Sequence, residues 1–235
     1  MLNSLPDGYK IVIVGASGGI GRALHHQCMS DPRCGAAIAL SRASTPATDF
    51  ARPESIDVAA NQIRADHAQI DALIIATGIL TSTEGNGPEK AFSQLTPATM
   101  TELFNTNTIG PALVLSAFMP LLPHRGRCIV AALSARVGSI GDNGLGGWIS
   151  YRASKAALNQ VMHTAAIEMS RRNSDSICAA LHPGTIETDL TRQYASGNYT
   201  HTAEECASNL LSVLDALTPD QSGGFYDYAG KEIVW

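Results

Sequence analysis

Lys10 to Val14 form a short, β-branched apolar run that ends on Gly15-Ala-Ser-Gly-Gly19-Ile-Gly21 and passes straight into a helical pattern. No other stretch restricts the fold as much. A strand that turns through glycines into a helix opens a βα unit, and that helix must cover one face of the sheet the strand joins. Glycines let a backbone approach a pyrophosphate closely, and a helix N-terminus offers unpaired N–H groups and the positive end of a dipole. Gly15, Ser17, Gly18, Gly19, Ile20 and Gly21 are therefore candidate phosphate contacts. Taken alone, the same turn could simply join strand to helix.

The alternation continues downstream. Apolar runs at Ala36–Leu40, Ser55–Val58, Asp71–Ala76, Arg127–Ala132, Ile177–Leu181 and Gly224–Tyr226 are separated by helical patterns over Gly18–Met29, up to about Ala68, from Thr96 to about Met119, over Ser150–Arg171 and over Ala203–Leu217. Strands apolar throughout, with helices between them, imply a parallel sheet covered on both faces. The expected fold is one α/β domain over residues 1–235: a doubly wound, mostly parallel, seven-stranded sheet. Gly138 to Gly147 reads as an active-site loop rather than a boundary.

Composition removes several functions. Hydrophobic residues make up 45% of the chain and charged ones 16%, which argues against disorder. The net charge of −5 with no basic stripe argues against a nucleic-acid partner. No run reaches membrane-spanning length, and Met1 to Lys10 lacks the pattern of a signal peptide. The cysteines Cys28, Cys34, Cys128, Cys178 and Cys206 are scattered, without C-x-x-C spacing. They are expected to be reduced thiols in a cytoplasmic protein, not a disulfide frame, and no metal-ligand spacing occurs.

The end of the second strand bears on which dinucleotide fits. An acidic residue there would bond the ribose 2′-hydroxyl of NAD. The chain instead reads Leu40-Ser41-Arg42, with Arg22 just past the glycine turn. A guanidinium takes a 2′-phosphate bidentately and a serine adds a hydrogen bond, so NADP(H) is expected over NAD. Asp57 and Val58 are candidates for the adenine, or Asp57 for a helix N-cap. Ala76-Thr77-Gly78 places small residues where backbone would pass a ribose.

Tyr151-Arg-Ala-Ser-Lys155 puts a phenol and an ammonium on one helix face. A tyrosine, with a usual pKa of about 10, becomes a better proton donor and acceptor beside a fixed positive charge. This spacing is common on ordinary helices, so its place far downstream of the glycine turn is what gives it weight.

The ordered set is more specific than any member. With Asn107 in the long helix, Ser134 after the Arg127–Ala132 strand and Pro183-Gly184 after the Ile177–Leu181 strand, the chain resembles the short-chain dehydrogenase/reductase family from Lys10 to Trp235. Ser134-Ala-Arg-Val-Gly-Ser-Ile140, Tyr151 to Asn159 and the ending Gly-Lys-Glu-Ile-Val-Trp235 are closest to its C-factor/sniffer-like carbonyl reductase branch. Val14 and Ala76-Thr77-Gly78 depart conservatively from the family pattern.

The resemblance implies a Rossmann fold and an NADP(H)-dependent oxidoreductase that interconverts a carbonyl and an alcohol. By the same resemblance, Tyr151 is the general acid/base, Ser134 holds the substrate oxygen, Lys155 lowers the Tyr151 pKa and meets the nicotinamide ribose, and Asn107 anchors a proton-relay water. Pro183, Gly184, Thr185, Ile186 and Thr188 would meet the nicotinamide end. It also implies a homodimer or homotetramer formed through Pro97–Met119 and Ser150–Arg171. Loops at about 138–149 and 185–201 would border the substrate, a small aldehyde, ketone or alcohol. Ile79, Leu80, Leu145, Trp148, Tyr194 and Tyr199 are candidate walls. The alternative is a non-enzymatic dinucleotide sensor or signalling protein on the same fold.

Overall fold

The computed structural model describes residues 1–83, 87–188, 192 and 199–235. Among the described residues six strands form one parallel sheet in the order β2-β1-β3-β4-β5-β6: β1 Tyr9–Val14, β2 Cys34–Leu40, β3 Ala72–Ile75, β4 Cys128–Leu133, β5 Ser176–His182 and β6 Phe225–Asp227. The chain leaves β1 outward to β2 and returns across it to β3. That reversal opens a crevice beyond the carboxyl ends of the strands, beside β1.

Alternation along each strand feeds two cores. Val12, Val14, Leu73 and Ile75 face α2 (Glu54–His67), α4 (Gly110–Phe118) and α5 (Ile149–Arg172), where Ile63, Phe118 and Met162 complete one cluster. Ile11, Ile13, Ile74 and Ile177 face α1 (Gly19–Met29) and α6 (Ala203–Ala216), with Leu24, Leu210 and Leu214.

The sequence pattern predicts a third strand over Ser55–Val58, which made the expected total seven, and the structure has none there. Those residues lie in α2. Ile56, Ala59, Ala60 and Ile63 are buried while Val58 is 60% exposed. That is burial at i, i+3, i+4 and i+7, a helical period; a strand would have buried Ile56 and Val58 together. Four residues were too short a run to distinguish the two periods.

The long helix predicted from Thr96 also differs. Thr96 caps it as expected, its hydroxyl accepting from the Thr99 N–H at 3.2 Å. The helix then divides into α3 (Pro97–Phe104), a π turn over Asn105–Ile109, and α4. A π turn inserts one extra residue per turn, rotates the side chains that follow, and recurs at functional sites.

Candidate active site

The crevice is built on α5. Tyr151, Lys155 and Asn159 occupy successive turns of one face, and all three are buried against the carboxyl end of β4. The Lys155 Nζ donates to the Leu133 carbonyl at 2.8 Å and lies 6.0 Å from the Tyr151 ring centroid. Burial pushes the Lys155 ammonium down to about 7 and pushes the Tyr151 phenol up from its usual 10. The sequence predicts a phenol lowered by its lysine; here burial raises it instead.

Asn107 sits at the middle of the π turn, completely buried. Its Oδ1 accepts the Ile79 N–H at 2.8 Å, and its Nδ2 donates to the Ile79 carbonyl at 2.9 Å and the Ser154 Oγ at 3.0 Å. The amide thus binds the segment leaving β3 to α5. Gly78 lies where the two meet: a Cβ there would stand 3.3 Å from the Lys155 Nζ and 3.5 Å from the Asn107 Oδ1.

Ser134 is placed differently from its expected role. It is buried just past β4, and its hydroxyl donates to the Asn159 Oδ1 at 2.6 Å. The next residue, Ala135, is extended and packs in the cluster around Tyr151. Neighbours on an extended segment point to opposite sides, so alanine, not serine, presents its side chain to the phenol. Asn159, which the sequence reading quoted without a role, is the partner; its Nδ2 has none among the described residues.

The glycine turn lies at the open end of β1. Gly15 adopts φ +90°, and its N–H donates to the Leu40 carbonyl at 2.8 Å. A Cβ on Gly15 would meet Ala76 at 2.9 Å, and one on Gly21 would meet the Gly15 carbonyl at 2.3 Å. The turn therefore closes only with glycine at these two positions. The Thr188 methyl comes within 2.9 Å of where a Gly19 Cβ would stand, so the segment after β5 folds back onto the turn. The first N–H groups of α1 have no acceptor within the helix. Ser17 and Gly18 are exposed, as are Arg22 and Arg42, and Ser41 is half-buried. Pro183, Gly184 and Thr185 are half-buried at the end of β5, while Ile186 is buried. Thr77 Oγ1, beside the turn, is buried with no partner among the described residues.

Asp57 and Val58 do not sit at a strand end. They occupy the first turns of α2, and Val58 points to solvent. The residues beside the end of β2 are Thr48, whose N–H donates to the Ser41 carbonyl at 2.9 Å, and then Asp49 and Phe50. The Phe50 ring packs over Gly110, at the start of α4. No apolar run marked these residues, so the sequence reading passed over them.

Of the candidate walls, Ile79, Leu80 and Trp148 surround Tyr151, joined by Leu103, Ala135 and Val137. Trp148 and Tyr151 meet edge to face with centroids 6.2 Å apart. Leu145 does not belong to this wall, being 95% exposed. Tyr199 is half-buried, and Tyr194 falls outside the described residues, as does much of the 185–201 loop. Glu89, another residue without a sequence signal, reaches the start of α5, where its carboxylate accepts from the Ser150 N–H at 3.2 Å and from the Ser150 hydroxyl. Among the described residues no helix is long and apolar enough to cross a membrane, and no group of three or more His, Cys, Asp and Glu is placed to hold a metal ion.

The chain resembles known proteins in both sequence and fold. The short chain dehydrogenase family matches residues 9–198. A 1-hydroxy-2-glutathionyl-2-methyl-3-butene dehydrogenase of Rhodococcus sp. (strain AD45) is 30% identical over 96% of this chain and 99% of its own length. The C-signal protein of Myxococcus xanthus is 33% identical over 71% of this chain and 93% of its own. Among solved structures, NADPH-bound carbonyl reductase from chicken fatty liver superposes with a TM-score of 0.84 at 23% identity, covering 99% of this chain and 96% of that one. The carbonyl reductase Sniffer of D. melanogaster gives 0.81 at 20% identity, covering 98% and 100%. At these identities the structural matches speak for the fold.

Proposed function

The chain belongs to the short chain dehydrogenase family of oxidoreductases, and from that premise we propose that it is an NADP(H)-dependent enzyme reducing an uncharged aldehyde or ketone to its alcohol, or running the reverse. The observation that carries this reading is a buried phenol walled by apolar side chains, with a buried lysine one helical turn away and a glycine-lined crevice behind it.

The residues suit the dinucleotide. The glycine turn and the start of α1 would take the pyrophosphate. Arg42, Ser41 and Arg22 would take a 2′-phosphate, since β2 is followed directly by Ser41 and Arg42 rather than by an acidic residue. Asp49 and Phe50 replace Asp57 and Val58 as the candidates for the adenine. Thr77, Gly78, Lys155 and the segment from Pro183 to Thr188 would hold the nicotinamide half. When bound, the cofactor supplies or accepts the hydride.

Tyr151 gives its proton to the carbonyl oxygen in reduction and takes one back in oxidation. Its raised pKa keeps it protonated, which suits donation. Lys155, whose ammonium burial makes easier to deprotonate, makes the phenolate less costly whenever it carries its proton. Asn107 holds Gly78 and α5 at a fixed separation. Ser134 acts through Asn159, since a hydroxyl that donates to that amide has no second proton for a substrate oxygen. Ile79, Leu80, Leu103, Val137 and Trp148 exclude water and favour uncharged substrates.

A panel of aldehydes, ketones and quinones followed at the NADPH absorbance band tests this reading. Tyr151→Phe should abolish turnover and keep cofactor affinity; full activity in that variant would refute the mechanism. The relative named C-signal favours the alternative of a signalling protein, which predicts cofactor binding with no turnover across the panel. That alternative leaves the buried tyrosine and lysine without a use.

We also propose a homodimer or homotetramer formed through the helices from Pro97 to Met119 and Ser150 to Arg171. Ile109 and Leu113 on the first stretch and Ile167 on the second are 47%, 38% and 44% exposed, respectively. Light scattering that finds monomers alone would contradict it.

A further inference from the structure

We propose that Glu89 is a positioning residue for Tyr151: its buried carboxylate anchors the first turn of α5 and so fixes where the phenol stands. This rests on the acid–base reading of Tyr151 above.

The start of α5 has no cap from its own sequence. Its N-cap residue is Trp148, which holds φ +51° and makes no side-chain capping bond. A tryptophan in that left-handed conformation is strained and needs outside support. Glu89 supplies it from 61 residues away. Its backbone carbonyl accepts the Trp148 N–H, its Oε2 accepts the Ser150 N–H at 3.2 Å, and its Oε1 accepts the Ser150 hydroxyl. Glu89 is 4% exposed and Ser150 fully buried. A carboxylate so placed satisfies one orphan N–H group, that of Ser150, and meets the positive end of the helix.

Tyr151 follows Ser150 directly and touches Trp148. Lys155 is held separately, through the Leu133 carbonyl. Releasing Glu89 would therefore move the phenol relative to the lysine and the cofactor crevice, leaving the crevice itself in place. The segment that carries Glu89 also carries Ile79 and Leu80, so one stretch of chain both walls the pocket and sets the acid within it.

The chain has two tryptophans, so Trp235→Phe leaves Trp148 as a reporter of this turn. In that background, Glu89→Ala, Glu89→Gln and Tyr151→Phe are compared by cofactor-free fluorescence, thermal midpoint, NADPH titration and steady-state kinetics on the best panel substrate. Glu89→Ala should shift Trp148 emission to the red and lower kcat at least ~10-fold, with KM and the NADPH Kd changed less than ~2-fold. Glu89→Gln keeps one acceptor oxygen and should recover part of kcat; it carries the test if Glu89→Ala does not fold. Unchanged Trp148 emission, or kcat within ~2-fold while Tyr151→Phe abolishes turnover, overturns the proposal. So does a parallel loss of kcat and cofactor affinity with the thermal midpoint. Full turnover in Tyr151→Phe defeats the acid–base reading and the proposal with it.

Discussion

Ser134→Ala separates two roles that kinetics alone would confuse. In the structure the serine proton is given to the Asn159 Oδ1 at 2.6 Å, with both residues 3% exposed. Truncation orphans that oxygen on an amide whose Nδ2 already has no partner among the described residues. Leaving a buried acceptor unsatisfied costs about 1–3 kcal/mol. At about 2–4 °C per kcal/mol for a chain of this size, the thermal midpoint should fall by roughly 2–12 °C. Turnover should fall less than ~10-fold, because the hydroxyl supplies no hydrogen bond to the reacting oxygen; a direct oxyanion donor would cost about 10²–10³-fold in kcat. Differential scanning calorimetry and kcat on the panel substrate read both quantities. Adding Asn159→Leu, which removes the stranded amide, should recover part of the lost stability. A 10²-fold or greater loss of kcat with an unchanged midpoint would show that Ser134 donates to the substrate, refuting the geometric reasoning.

Other outcomes follow from neighbouring residues. Lys155 is depressed by burial to about 7 from 10.5, so between those values the unfolded chain carries a proton that the folded chain lacks, and stability contributed by this site rises with pH. The Tyr151 phenol, shifted upward, has the opposite sign, but only above its unfolded value of about 10. Thermal midpoints of wild type should thus climb relative to Lys155→Met from about pH 7 to about pH 10, and a flat difference would refute the burial argument. Gly21→Ala places a Cβ 2.3 Å from the Gly15 carbonyl and must open the turn, so NADPH affinity by fluorescence titration should drop at least ~10-fold; unchanged affinity would remove the turn from the cofactor site. Arg42→Ala should weaken NADPH by ~10-fold or more while leaving NADH nearly unchanged, and equal losses for both would remove the 2′-phosphate contact.

What was legible in the sequence was what local rules govern. The strand-to-helix glycine turn, the apolar strands and the Tyr151–Lys155 spacing each depend on residues within a few positions of one another. Even there, a run as short as Ser55 to Val58 could be read with either period, and its fit to α2 appeared only once Ile56 and Ile63 had a sheet to face. The loop from Ser41 to Phe50 had no period at all, so Asp49 and Phe50 went unread. Asn107 was found by its place in an ordered set, but its bonds to Ile79 and Ser154 depend on the π turn, which no residue pattern announced.

The sequence by itself therefore determined the parallel α/β architecture and the placing of Tyr151 and Lys155 on one helix face, because periodicity and helical spacing are short-range properties. Only the tertiary structure decided what those side chains touch. Ser134 faces Asn159 across 25 residues of sequence and Glu89 reaches Ser150 across 61. Contacts at such separation exist only after strands and helices have packed, when burial makes each polar atom find a partner or go without one.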